Sequence, residues 1–334
     1  MQRESYFDNA KFLLIALVVF GHMIRSFIEQ DEVMLAIYKF IYTFHMPAFI
    51  LIAGYFSKGF QKKGYVKKVA TKLIVPYLIF HGIYSVYYML VKNEHVLHVV
   101  DPLNPHWSLW FLLSLFCWNL LLYPFSKWPK GVAISIAFML ALAIGFVEEI
   151  NHYMSLSRTF VFFPLFLIGY SLKREHFLAL QSMRVRFLSI VTLLFILFLY
   201  FNVSFEYEWL FGSKPYAYFG EVTISSAFTR LGFYGLTLVT TFAFLALVPT
   251  RRFFFTEWGA RTFYVYLLHG FIIQAFRASD LEHVSLFAHN LFFTAIIAFA
   301  ITLVLSSNWV YRFAKPLIEI QAIAPANRVR KRVS

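Results

Sequence analysis

Long apolar runs separated by short polar clusters dominate this chain. The stretches 131–147 and 187–203 hold no charged residue, and as helices they can cross a hydrocarbon core about 30 Å thick. The same pattern predicts helical spans near 12–28, 34–56, 73–91, 107–125, 131–147, 157–172, 187–205, 225–248, 262–277 and 288–311. Short loops join them, with no internal repeat, low-complexity stretch or soluble domain between. The expected fold is all-α: a polytopic integral membrane protein of about ten transmembrane helices, forming one domain over residues 1–334. Phe12 to Ile28 sits where a signal peptide would, but it lacks a small-residue cleavage site and carries His22 and Arg25. It is read as a retained first helix.

Composition sharpens this picture. The chain is 60% hydrophobic and 14% charged, against roughly 25% charged residues in a soluble domain. The formal charge of +13 does not point to nucleic acid, because Lys and Arg fall in short clusters between apolar runs, not along one soluble face. With the N-terminus inside, 23 of the 30 basic residues lie in cytoplasmic segments, as the positive-inside rule requires, and ten spans return the C-terminus to the same side. Arg25, Lys39, Lys92, Arg158, Lys214, Arg230 and Arg277 fall in the outer half. The basic tail at 328–332 reads as a contact for anionic inner-leaflet lipid. The loop from Lys58 to Lys72 reads equally as a lipid contact or as a field that attracts a phosphorylated cytoplasmic donor. The single cysteine, Cys117, excludes a disulfide within the chain.

Four histidines, His22, His45, His81 and His269, fall within the expected spans. Ionisable groups at that depth usually face a protein interior or a water-filled path; packing against a neighbouring helix is the competing reading for each. His22 has the most suggestive company. Lys11 precedes it by 11 residues, about 16 Å of helical rise and three turns, so both share one face with Asp8. A cation at the cytoplasmic mouth and an imidazole deep on the same line suit a donor whose phosphates are held at one end and whose reactive group sits at the other. Alternatively, Lys11 is a topogenic flank and Asp8 a helix-start residue. No His, Cys, Asp and Glu grouping has metal-ligand spacing, and neither a nucleotide-binding glycine loop nor a G-x-S-x-G elbow occurs.

The opening FDNAKFLLIALVVFGH, with Asp8, Lys11 and His22, resembles the first helix of the acyltransferase-3 family of membrane O-acetyltransferases, most closely its fucose 4-O-acetylase-like branch. FHMPAFILIAGYFSKGF, with His45, Pro47, Gly54 and Tyr55, is similar to that family's second helix and its small-Gly-aromatic ending. Lys67, Lys68, Lys72 and Pro76 resemble its basic loop and proline-marked third helix, and SLWFLLSLF with Trp110 its fourth-helix entry. Lys11 stands where many members carry arginine, which keeps the charge and loses the planar fork.

The resemblance implies transfer of an acetyl group from cytoplasmic acetyl-CoA to a hydroxyl of a cell-surface or exported glycan or lipid-linked sugar, and the basic, Phe-rich, loop-poor composition suits a bacterial plasma membrane. His22 is then a general base or a nucleophile that carries the acetyl group. Lys11, Lys67, Lys68 and Lys72 are expected to engage the donor phosphates, His45, Arg25, His269 and Trp110 the acceptor, and Lys11 and His45 join His22 in the expected catalytic set. Arg25 reads either as an oxyanion partner or as a side chain snorkelling to head groups. Membrane lipids and glycan synthesis or export proteins are the expected partners, with no metal. A second class stays open: a permease or flippase exporting a polysaccharide or lipid-linked sugar, with the histidines as proton relays.

Overall fold

The computed structural model describes residues 5–92, 101–150, 153–220, 222–279, 281, 284, 287 and 290–319. Arg3 and the basic tail at 328–332 therefore lie outside the described residues, as does the side chain of Lys92. Among the described residues there are twelve α-helices and short 3-10 turns, and no strand. In chain order the helices are α1 (Ser5–Ile24), α2 (Glu32–Phe56), α3 (Tyr65–Lys92), α4 (Trp110–Phe125), α5 (Lys130–Ala143) and α6 (Leu156–Ser171). They continue with α7 (Arg174–Ala179), α8 (Met183–Asn202), α9 (Ile224–Leu247), α10 (Thr262–Arg277), α11 (Leu291–Leu305) and α12 (Asn308–Ile318).

Each of the ten expected spans coincides with a helix, but the helices are not equally long. By length and composition α1, α2, α3, α6, α8 and α9 can cross a membrane. The pair α11 and α12, bent by 62°, adds a seventh if it counts as one span. The apolar helices α4 and α5 have 16 and 14 residues, about 24 and 21 Å of rise, short of a ~30 Å core. The chain is thus a multi-pass membrane protein whose shorter helices complete the bundle. Helix α8 supplies the plainest lipid-facing surface: Phe187, Leu194, Phe195 and Phe198 along it are all exposed.

Two boundaries shift for identifiable reasons. Helix α1 begins seven residues before the expected Phe12, because the polar residues at its start are satisfied inside the protein. Asp8 is buried and paired with Lys11 at 2.8 Å. Fully buried Asn9 donates through Nδ2 to the carbonyls of Pro249 and Arg251, and its Oδ1 accepts from Thr256. Hydropathy alone counts these residues as loop. Helix α3 likewise begins at Tyr65, eight residues before the expected start, and its first turns carry Lys67, Lys68 and Lys72 in exposed positions.

Helix α1 is central. Its Val19 and Met23 pack with Val265 and Ile273 of α10 and Ala298 of α11. Helix α2 lies between α1 on one side and α6 and α9 on the other. The α2–α6 crossing is close because glycines face backbone reciprocally. A Cβ on Gly54 would collide with the Phe166 carbonyl, and one on Gly169 with the Leu51 carbonyl. Small residues permit this approach between membrane helices, where dispersion and not hydrophobicity drives association. The expected Gly54 motif thus has a packing reason.

Candidate active site

Along α1, Lys11, Ile15, Val18 and His22 follow one another at positions i, i+4, i+7 and i+11, and all four line cavities. That places them on one helix face. His22 borders a cavity of about 420 Å³ at the C-terminal end of α1. Lys11 borders a second cavity of about 200 Å³ whose other walls are mostly apolar side chains of α2, α4 and α10. Val18, Met46 and Tyr266 line both, so the two spaces adjoin across a wall of three side chains.

Five residues singled out in the sequence meet in the larger cavity: His22, Arg25, His45, Trp110 and His269. The His22 and His269 rings are 5.5 Å apart. Nδ1 of His22 lies 2.9 Å from the Tyr42 hydroxyl, and Trp107 packs 4.3 Å from the His22 ring. The other two imidazoles have fixed tautomers, because a carbonyl can only accept. His45 donates from Nδ1 to the Ile41 carbonyl at 2.8 Å. His269 donates from Nδ1 to the carbonyls of Val265 and Tyr266, 3.0 and 2.8 Å away. Nε2 of His269 is buried with no hydrogen-bond partner among the described residues. In the neutral ring it is therefore an available proton acceptor.

Several cavity residues carried no functional expectation: Tyr42, Trp107, Arg158 and Arg277. Arg158 lies over the Trp110 ring, 4.8 Å from its centre, and donates from Nε to the Phe211 carbonyl at 3.2 Å. Arg277 lies 5.4 Å from the Trp107 ring centre and donates to the His22 carbonyl at 2.9 Å, tying the end of α10 to the end of α1. Arg158 and Arg277 were visible in the sequence as rare basic residues on the side where few are expected. Arg25 itself donates to the Tyr207 hydroxyl at 2.7 Å.

Other expected residues sit elsewhere. His81 stacks on His106, with ring centres 4.3 Å apart, and lines neither histidine nor lysine cavity. Lys67, Lys68 and Lys72 line no described cavity, although Leu73, the next residue, borders the Lys11 cavity. Among the described residues no group of three or more His, Cys, Asp and Glu side chains could hold a metal ion.

The model of the acyltransferase-3 family, described as an acyltransferase domain, matches residues 4–309, and the chain belongs to this family. It is 30% identical over 155 residues to the nodulation protein NolL of Sinorhizobium fredii (strain NBRC 101917 / NGR234), 42% of each chain. It is 42% identical over 83 residues to the nodulation protein NolL of Mesorhizobium japonicum (strain LMG 29417 / CECT 9101 / MAFF 303099). That stretch is 23% of this chain and 22% of the relative, so the matches span less than half the length of either curated relative. No solved structure matches the chain significantly.

Proposed function

We propose that this acyltransferase-family protein transfers an acetyl group from cytoplasmic acetyl-CoA to a hydroxyl of a cell-surface or exported glycan, in the plasma membrane of a bacterium. One observation carries the proposal: the face of α1 that runs from Lys11 to His22 borders two adjoining cavities. The donor enters from the Lys11 end, where the lysine charge, supplemented by Lys67, Lys68 and Lys72 at the start of α3, attracts its phosphates. The apolar walls beyond Lys11 suit the flexible thioester arm, whose passage requires Met46 or Tyr266 to swing. The resemblance of the first helix to the fucose 4-O-acetylase-like branch is in keeping with an oxygen nucleophile on a sugar.

In the histidine cavity an imidazole takes the hydroxyl proton as the oxygen attacks the thioester carbonyl. The C–O bond forms, the C–S bond breaks, and the proton passes on to the departing CoA sulfur. His22 performs this role when its Nδ1–H donates to Tyr42, leaving Nε2 as the base. His269, with Nε2 available 5.5 Å away ring to ring, holds or passes on the proton. A covalent acetyl-imidazole on His22 is the second form of the same chemistry.

The test is direct. Purified, detergent-solubilised protein is mixed with labelled acetyl-CoA and an extracted envelope glycan fraction, and CoA release and label transfer are followed. Both are expected, and both are lost in His22→Ala. Absence of CoA binding with any acceptor would overturn the reading and return the export alternative.

A further inference from the structure

The histidine cavity holds more positive charge than acetyl transfer to a neutral sugar requires. Arg25, Arg158 and Arg277 line it, and among the described lining residues the one carboxylate is Glu29. Glu29 is exposed and 3.5 Å from Arg25. Arg277 has a task within the fold at the His22 carbonyl. Arg158 is different. One of its five N–H groups goes to the Phe211 carbonyl, its guanidinium lies over Trp110, and no acidic side chain among the described residues pairs with it.

A guanidinium kept inside a membrane protein without an acidic partner is costly, and one fixed on an indole loses little freedom when it binds. The cavity beside it also holds unmet polar atoms. Ser108 Oγ and His269 Nε2 are both buried without a hydrogen-bond partner among the described residues, and both residues line the same space. Buried polar atoms normally find partners; here they await a polar ligand.

We infer that the acceptor bears an anionic group, a sugar carboxylate or a phosphate, which Arg158 clamps with Arg25 as the second cation. The planar fork of Arg158 can donate bidentately to either group. Ser108 Oγ donates to the same ligand, and the hydroxyl to be acetylated is thereby held toward His22. This rests on the proposed acyl transfer for its meaning, but the binding is measurable without it.

Thermal unfolding of the purified protein is followed against increasing glucose, glucuronate and glucose 1-phosphate at matched ionic strength, with no acyl donor present. At least one anionic sugar is expected to raise the midpoint with an apparent Kd tenfold or more below that of glucose. Glucuronate alone identifies a carboxylate, glucose 1-phosphate alone a phosphate. Arg158→Gln is expected to weaken the effect at least tenfold, and Arg158→Lys, which keeps the charge but not the fork, severalfold. Arg184→Gln on the exposed surface of α8 leaves it unchanged. Glucose binding as tightly as either anion, no binding by either, or undiminished binding in a folded Arg158 variant overturns the inference. Failure of acyl transfer shows separately, as absent CoA release in the assay above.

Discussion

The hydroxyl of Tyr42 lies 2.9 Å from Nδ1 of His22, linking α2 to the last turn of α1 inside the cavity. This contact decides which ring nitrogen of His22 can act. If Nδ1–H donates to Tyr42, Nε2 keeps its lone pair; if Tyr42 donates, Nε2 carries the proton and cannot be a base. Base catalysis by His22 needs the first arrangement. Tyr42→Phe is therefore expected to lower kcat about tenfold, the loss of ~1.4 kcal/mol of orientation, with little change in KM for acetyl-CoA. Steady-state kinetics on the envelope fraction check this, and an unaltered kcat removes Tyr42 from the mechanism.

His269 offers a parallel test. Asparagine places an amide N–H near the position of Nδ1 and so retains the bond to the Val265 or Tyr266 carbonyl, while nothing replaces Nε2. His269→Asn should fold normally and lose at least tenfold in kcat if Nε2 holds or passes a proton. Equal kcat would make the ring a packing element.

Lys11 is expected to act on donor affinity. Lys11→Ala should raise KM for acetyl-CoA about tenfold, the scale of one charge-assisted contact, with a smaller effect on kcat. Lys11→Arg should restore it. Because Asp8 is buried and pairs with Lys11, Lys11→Ala also takes a cation away from a buried carboxylate, so the thermal midpoint is measured alongside. A KM unchanged at equal stability speaks against phosphate contact.

The α2–α6 crossing predicts a contrast between glycines. Gly54→Ala and Gly169→Ala each press a methyl group into a facing backbone carbonyl, and the helices must separate. A stability loss of about 1–3 kcal/mol is expected for each, read as a lower unfolding midpoint in detergent. Gly82→Ala in α3, where a Cβ meets nothing within 4 Å, should be neutral or slightly stabilising. Equal loss at all three positions would contradict the close crossing.

Orientation is testable in intact cells. In a Cys117→Ser background, a cysteine at Lys68 should be blocked only by a membrane-permeant thiol reagent, and one at Lys214 also by an impermeant one. The reverse pattern would invert the topology drawn from the basic residues.

The resemblance in the first three helices was legible because it is local. Lys11 and His22 share a face through helical periodicity alone, while the cavities beside that face are closed by other helices. His22, His45 and His269 stood out as ionisable groups in apolar runs, and three of the four such histidines meet. His81 did not join them because α3 leans on α10 elsewhere. There Tyr84 donates to the Leu267 carbonyl at 3.1 Å and its hydroxyl takes the space a side chain at Gly270 would need. Periodicity says which way a residue points, not what stands opposite.

The sequence by itself determined the membrane setting, the helical segments and the Lys11–His22 stripe, because each depends on hydropathy or on spacing within one helix. Tertiary structure alone decided that Arg158 of α6 and Arg277 of α10 reach the end of α1, and that carbonyls one helical turn back hold the proton on Nδ1 of His45 and His269. Those relations depend on how closely helices cross and on ring orientation. At the α2–α6 crossing the close approach exists because two glycines, 115 positions apart in the chain, each leave room for the other helix's backbone.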